Sequence, residues 1–110
     1  MFRYAWYADV PDPDNFLYIL FHSKSPDNVT SYRNAHVDYL LSQAQREFDT
    51  RRRADLYRQA ERLILEDAPI IPLSYTTYER VFHPYVNGVH VTALGDPYIR
   101  MNEIWLSNRR

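Results

Sequence analysis

Two apolar stripes of helical period, separated by a break at Asp49-Thr50, run through residues 34–67 and constrain this chain most. In the first, Val37, Leu40, Leu41, Ala44 and Phe48 recur at the spacing of one helix face. Asn34 stands where an N-cap is needed, and Asp38 lies in the first turn, where a carboxylate favours the helix dipole. The second stripe is Leu56, Ala60, Leu63 and Ile64, with Thr50 as its expected cap. Its opposite face carries Arg51, Arg52, Arg53, Asp55, Arg58, Glu61 and Arg62, and Asp55 can pair with Arg58 or Arg62. Glu66-Asp67-Ala68-Pro69 ends this helix.

Strand-like patterns flank the helical stretch. Phe2, Tyr4 and Trp6 alternate with Arg3, Ala5 and Tyr7, which predicts a strand over 2–8. Pro11 and Pro13 then force an extended or turning backbone, after which Asp14 is placed to cap a short helix from Asn15 to about Phe21. Residues 22–33 read as a loop around Ser25-Pro26-Asp27-Asn28. Ile70–Tyr75, Arg80–Phe82, Val89–Val91 and Ile104–Leu106 read as further strands, broken at Asn87-Gly88 and Gly95-Asp96-Pro97. Strand, helices, then strands is the order of a mixed α/β unit. A chain whose first residues lie inside a strand, and lack the regions of a signal peptide, reads as a fragment.

Composition narrows the chemistry. The 110 residues suffice for one small domain, and 13 basic against 14 acidic side chains argue against a nucleic-acid binder. There is no cysteine, which removes disulfides, thiolate catalysis and zinc-thiolate sites. Asp9, Asp12 and Asp14 miss the spacing, glycine and distal glutamate of a calcium loop, so no metal is expected. His22, His36, His83 and His90 form no ligand pair, and no serine sits in a Gly-x-Ser-x-Gly turn. Neither catalysis nor a cofactor is therefore expected. Arg51-Arg52-Arg53 reads as a solvated face among acidic neighbours. Asn28-Val29-Thr30 matches a glycosylation sequon. Ten tyrosines beside two glycines suit a binding cleft or interface.

Three stretches together carry a resemblance. Trp6-Tyr7-Ala8-Asp9-Val10-Pro11-Asp12-Pro13-Asp14-Asn15-Phe16-Leu17 resembles the tryptophan-x-alanine-aspartate segment of family 5 extracellular solute-binding proteins. Tyr32-x-Asn34-x-x-Val37-Asp38-x-Leu40-Leu41 is similar to the helix that follows in that family. Leu56-Tyr57-Arg58-Gln59-Ala60-Glu61, continuing to Asp67-Ala68-Pro69-Ile70-Ile71-Pro72-Leu73, is similar to its long helix and next strand. The family includes the oligopeptide and dipeptide receptors of ABC importers, and the likeness is to its C-terminal end.

The resemblance implies a portion of a type II periplasmic-binding-protein fold. Residues 1–76 would belong to the second, ligand-binding lobe, and residues 77–110 would return across the hinge to the first. It implies a peptide ligand, an ABC permease as partner, and a place on the periplasmic or extracellular face of the membrane. Carried over by position, Asp9 pairs with the peptide's α-amine, Trp6 walls the ligand's first residues, and Tyr7 and Ala8 complete the ligand-binding segment. Val10 replaces the family's common tyrosine at that position. Relatives also take nickel complexes, opines or oligosaccharides. Two alternatives stay open: a truncated fragment that binds nothing, or a module that self-associates as a homo-oligomer.

Overall fold

In the computed structural model, residues 2–77, 79–92 and 99–107 are described. The chain divides into two units, Met1–Leu73 and Ser74–Arg110.

The first unit is helical. Asn34 adopts extended backbone angles, and its Oδ1 accepts the amides of His36 (3.0 Å) and Val37 (3.3 Å), which launches α2 (Ala35–Arg46). Val37, Leu40, Leu41 and Ala44 are buried along one face, as their spacing predicts. Phe48 departs from that pattern: the helix stops at Arg46, Glu47 is extended, and Phe48 is 98% exposed. The apolar period continued one turn beyond the hydrogen bonds that enforce it.

α3 (Thr50–Asp67) is capped by Asp49 and not by Thr50. Asp49 holds the extended backbone a cap requires and accepts the Arg52 amide at 2.8 Å, whereas Thr50 is already helical. Tyr57, Ala60 and Ile64 are buried, with Leu56 and Leu63 partly so. Ala68 closes the helix in the left-handed region at φ 48°, and Pro69 prevents continuation.

α1 (Asp14–Phe21) has Pro13 in the cap position and no side-chain cap of its own, so Asp14 does not act as the cap. Asp12 serves the helix entrance instead, its Oδ1 accepting the Asp14 amide at 2.9 Å. Phe21 joins the residues of α2 and α3 in one core, and Tyr32 meets it edge-on at 6.2 Å. Burying a side chain such as Leu41 contributes about 2 kcal/mol.

Side chains organise the loop between α1 and α2. Asn28 donates from Nδ2 to the carbonyls of His22 (3.3 Å) and Tyr32 (2.8 Å), while its Oδ1 accepts from Thr30 and the Tyr32 amide. His22 is buried and stacks on Tyr18 at 4.3 Å. Its Nδ1 accepts the Lys24 amide at 3.1 Å, and its Nε2 lies 3.4 Å from the Ser42 hydroxyl. Asp67, at the end of α3, accepts from the Tyr32 hydroxyl (2.6 Å) and Asn34 Nδ2 (2.7 Å). Those donors hold the Asp67 carboxyl below its ordinary range. Burial, and then Asp67, pushes the Tyr32 phenol up to about 12.

The second unit contains β1 (Val86–Asn87) and β2 (Trp105–Leu106), an antiparallel pair with Val86 opposite Leu106 and Asn87 opposite Trp105. A 3-10 turn over Met101–Glu103 precedes β2. Gly88 follows β1 at φ 77°, and a Cβ there would collide with the Glu103 carbonyl oxygen. Helices with a small antiparallel sheet make the chain mixed α/β.

Four expected strands are absent among the described residues: 2–8, Ile70–Tyr75, Arg80–Phe82 and Val89–Val91. Alternation records which side chains share a face, but a strand also needs an adjacent strand to take its amides and carbonyls. Without one, Ile71, Leu73 and Tyr75 stand exposed. Asn87, expected in a break, is paired within β1, and the expected break at Gly95-Asp96-Pro97 lies outside the described residues. Among the described residues no helix is long and apolar enough to cross a membrane.

Candidate ligand-binding segment

The segment from Trp6 to Ala8 has no regular secondary structure, and the chain bends from Asp9 into a turn built by proline and aspartate. Pro11, with its fixed φ, lets the Asp12 amide reach the Val10 carbonyl at 2.8 Å. Asp12 then folds its carboxylate onto the Asp14 amide, and the Asn15 amide bonds the Asp12 carbonyl at 3.1 Å. These contacts bring Asn15, buried in the first turn of α1, against the segment that holds Trp6 and Asp9.

Asn15 grips both ends of that segment. The Trp6 indole donates to the Asn15 carbonyl at 2.7 Å, and the Asp9 amide donates to Asn15 Oδ1 at 3.0 Å. Trp6 is partly buried and lies roughly parallel to the Tyr4 ring, 6.2 Å away. Ala8 is partly buried, while Tyr7 and Asp9 are exposed. Among the described residues the Asp9 carboxylate makes no hydrogen bond or ion pair, and the turn before Pro11 is closed without it.

Behind the segment lies a polar clamp. Arg53 presents Nη1 and Nη2 to the two carboxylate oxygens of Asp12 at 2.7 and 2.9 Å, a bidentate pair that fixes orientation as well as distance. The same guanidinium donates from Nε to the Ala44 carbonyl near the end of α2, and from Nη2 to the Tyr57 hydroxyl at 3.0 Å. That hydroxyl donates to Asp14 Oδ1 at 2.9 Å, and Gln45 donates to the other Asp14 oxygen. The Arg53 bond holds the Asp12 carboxyl below its ordinary range, and the same bond raises Arg53. Burial pushes the Tyr57 phenol up, helped by Asp14.

Asp12 and Asp14 are therefore occupied by protein donors. Among the described residues no group of three or more His, Cys, Asp or Glu could hold a metal ion. The structure brings Trp6 and Asp9 together on Asn15. It also assigns parts to Asn15, Arg53 and Tyr57 that sequence reasoning missed. Arg53 was read with the solvated arginines; Arg51, Arg52, Arg58 and Arg62 are exposed, and Arg58 meets Asp55 as expected, but Arg53 turns inward. Asn15 did leave a signal, because asparagine has poor propensity inside a helix and calls for a side-chain role.

No family model matches the chain. Relatives are nonetheless clear. The probable deoxycholate-binding periplasmic protein YgiS of Escherichia coli is 36% identical over 104 residues, 94% of this chain and 19% of the relative. The oligopeptide-binding protein OppA of Bacillus subtilis is 32% identical over 98 residues, 89% of this chain and 18% of the relative. A dipeptide-binding protein of Pseudomonas aeruginosa is 35% identical over 89 residues, 79% of this chain and 16% of the relative. The chain thus spans under a fifth of the length of these relatives, which are named as binding proteins rather than enzymes. With the motif segment and both long helices in the family's order, the chain belongs to the family 5 solute-binding proteins, the group of the periplasmic peptide-binding proteins of ABC transporters.

Proposed function

We propose that this chain forms part of a peptide receptor that captures its ligand outside the cytoplasmic membrane and delivers it to an ABC permease. In this reading residues 1–76 lie in the ligand-binding lobe of a type II fold, and residues 77–110 return to the other lobe. The chain binds and performs no catalysis. Asp9 pairs with the ligand's α-ammonium, Trp6 gives a rigid wall beside the first residues, and Tyr7 and Ala8 line the path between them.

The observation that carries this reading is an exposed Asp9 carboxylate with no partner among the described residues, on a backbone held from beneath. A carboxylate so presented gives a charge-assisted bond to an ammonium and rejects an anion. The relative named as deoxycholate-binding supplies a second ligand class, an anionic steroid. Asp9 argues against that class here, because like charges brought together in a cleft repel.

Thermal melts of the chain with trialanine, N-acetyltrialanine and deoxycholate test the choice. Trialanine is expected to raise the transition most, since a ligand that binds only the folded state stabilises it. Asp9→Ala should weaken trialanine roughly tenfold or more, the effect of removing one partner of a desolvated charge pair. N-acetyltrialanine should be unaffected. Equal losses for both peptides would reject the amine anchor, and a larger shift with deoxycholate would favour the steroid. Light scattering on the same samples separates a monomeric receptor piece from a self-associating module.

A further inference from the structure

Asp9 is useful as an anchor only if its carboxylate faces the ligand in a fixed direction, and the direction of a side chain is set first by its own backbone. That backbone is held at one point, the Asp9 amide, by the Asn15 carboxamide oxygen at 3.0 Å. Asn15 is 7% exposed and sits in the first turn of α1 without capping it, since Asp12 serves the entrance. Just before it in the chain, Arg53 holds Asp12 and Tyr57 holds Asp14. The helix start that carries Asn15 is thereby tied to α3.

We propose that Asn15 is the positioning residue of this site: its side-chain oxygen on the Asp9 amide fixes the direction of the Asp9 carboxylate and so sets discrimination between free and blocked amines. This rests on the amine-anchor reading of Asp9. Only the acceptor function of Asn15 faces Asp9, so a carboxylate at position 15 preserves it and an isosteric hydrocarbon removes it. The Trp6 indole donates chiefly to the Asn15 backbone carbonyl at 2.7 Å, which every side-chain variant retains, and lies at 3.4 Å from Asn15 Oδ1, a longer contact that Asn15→Leu removes and Asn15→Asp keeps. Substitution at position 15 therefore removes the Asp9 contact while leaving the shorter of the two Trp6 contacts in place.

The test compares wild type, Asn15→Leu and Asn15→Asp by amide hydrogen exchange at Asp9 and by NMR titration with trialanine and N-acetyltrialanine. In wild type the Asp9 amide is expected to exchange slowly and trialanine to bind more tightly. Asn15→Leu should free that amide and reduce the preference for trialanine about tenfold, the lower end of what losing an orienting neighbour costs a ligand-binding group. Asn15→Asp should keep both properties, a rescue that a purely structural role in α1 does not predict. If Asn15→Leu loses its helical circular dichroism, Asn15→Ala takes its place in the same comparison. An unchanged preference in the folded variant overturns the positioning role and leaves the amine anchor standing. No preference in wild type rejects the anchor itself, and the positioning role falls with it.

Discussion

The two units of this chain differ in what holds them. In Met1–Leu73 three helices share a core to which Phe21, Val37, Leu40, Leu41, Ala44, Tyr57, Ala60 and Ile64 all contribute. In Ser74–Arg110 no described residue is buried, and among the described residues regular strand is confined to two residues paired with two. Apolar burial is the dominant favourable term in folding, and an isolated two-stranded pair is marginal in water. The contrast teaches that the first unit carries its own stability, while the second rests on local backbone geometry.

The sharpest way to break this comparison is a matched pair of core substitutions. Leu41→Ala empties a fully buried position and should cost about 2–5 kcal/mol in denaturant unfolding. Leu106→Ala, at a largely exposed site, should fall within about 0.5 kcal/mol of wild type. Similar losses for the two would mean that the units do not differ as described.

Gly88→Ala probes the second unit alone. The left-handed backbone costs a residue with a Cβ about 1–2 kcal/mol, and the contact with the Glu103 carbonyl adds to that. The β1–β2 pair should open, seen as faster exchange of the Ser107 amide, which bonds the Tyr85 carbonyl at 2.9 Å. Helical circular dichroism should stay unchanged; a parallel loss of helix would erase the distinction between the units.

The smallest effect is expected from the clamp. Because the folded-state pKa of Asp12 is depressed, the stability it contributes is present above its ordinary value of 3.8 and is lost as pH falls through the lowered value. Asp12→Asn should remove that acid-dependent part, about 1 kcal/mol at neutral pH for a partly exposed pair. Coincident pH profiles of variant and wild type below pH 4 would show that the pair adds nothing to the first unit.

The helical half was legible because its information is local. Asn34 and the spacing of Val37, Leu40, Leu41 and Ala44 lie within one stretch, and each constrains the same backbone. Two errors there, Thr50 for Asp49 and the burial of Phe48, came from extending a period to its ends, where hydrogen bonds rather than pattern decide. Strands were poorly legible, since alternation at Phe2–Ala8 or Ile70–Tyr75 carries no word about a partner. At the candidate site the motif residues Trp6 and Asp9 stood out by likeness. Arg53 and Tyr57 did not, because their contacts with Asp12 and Asp14 join residues 41 and 43 positions apart.

Asn28 carries a consequence for modification. It is the acceptor asparagine of a sequon, yet each of its two amide hydrogens points at a backbone carbonyl, those of His22 and Tyr32. A sugar joined to that nitrogen would leave it one hydrogen, so one of the two carbonyls would have to find water instead. Glycosylation at Asn28 would therefore cost the 22–33 loop one of the two carbonyl contacts that this side chain supplies.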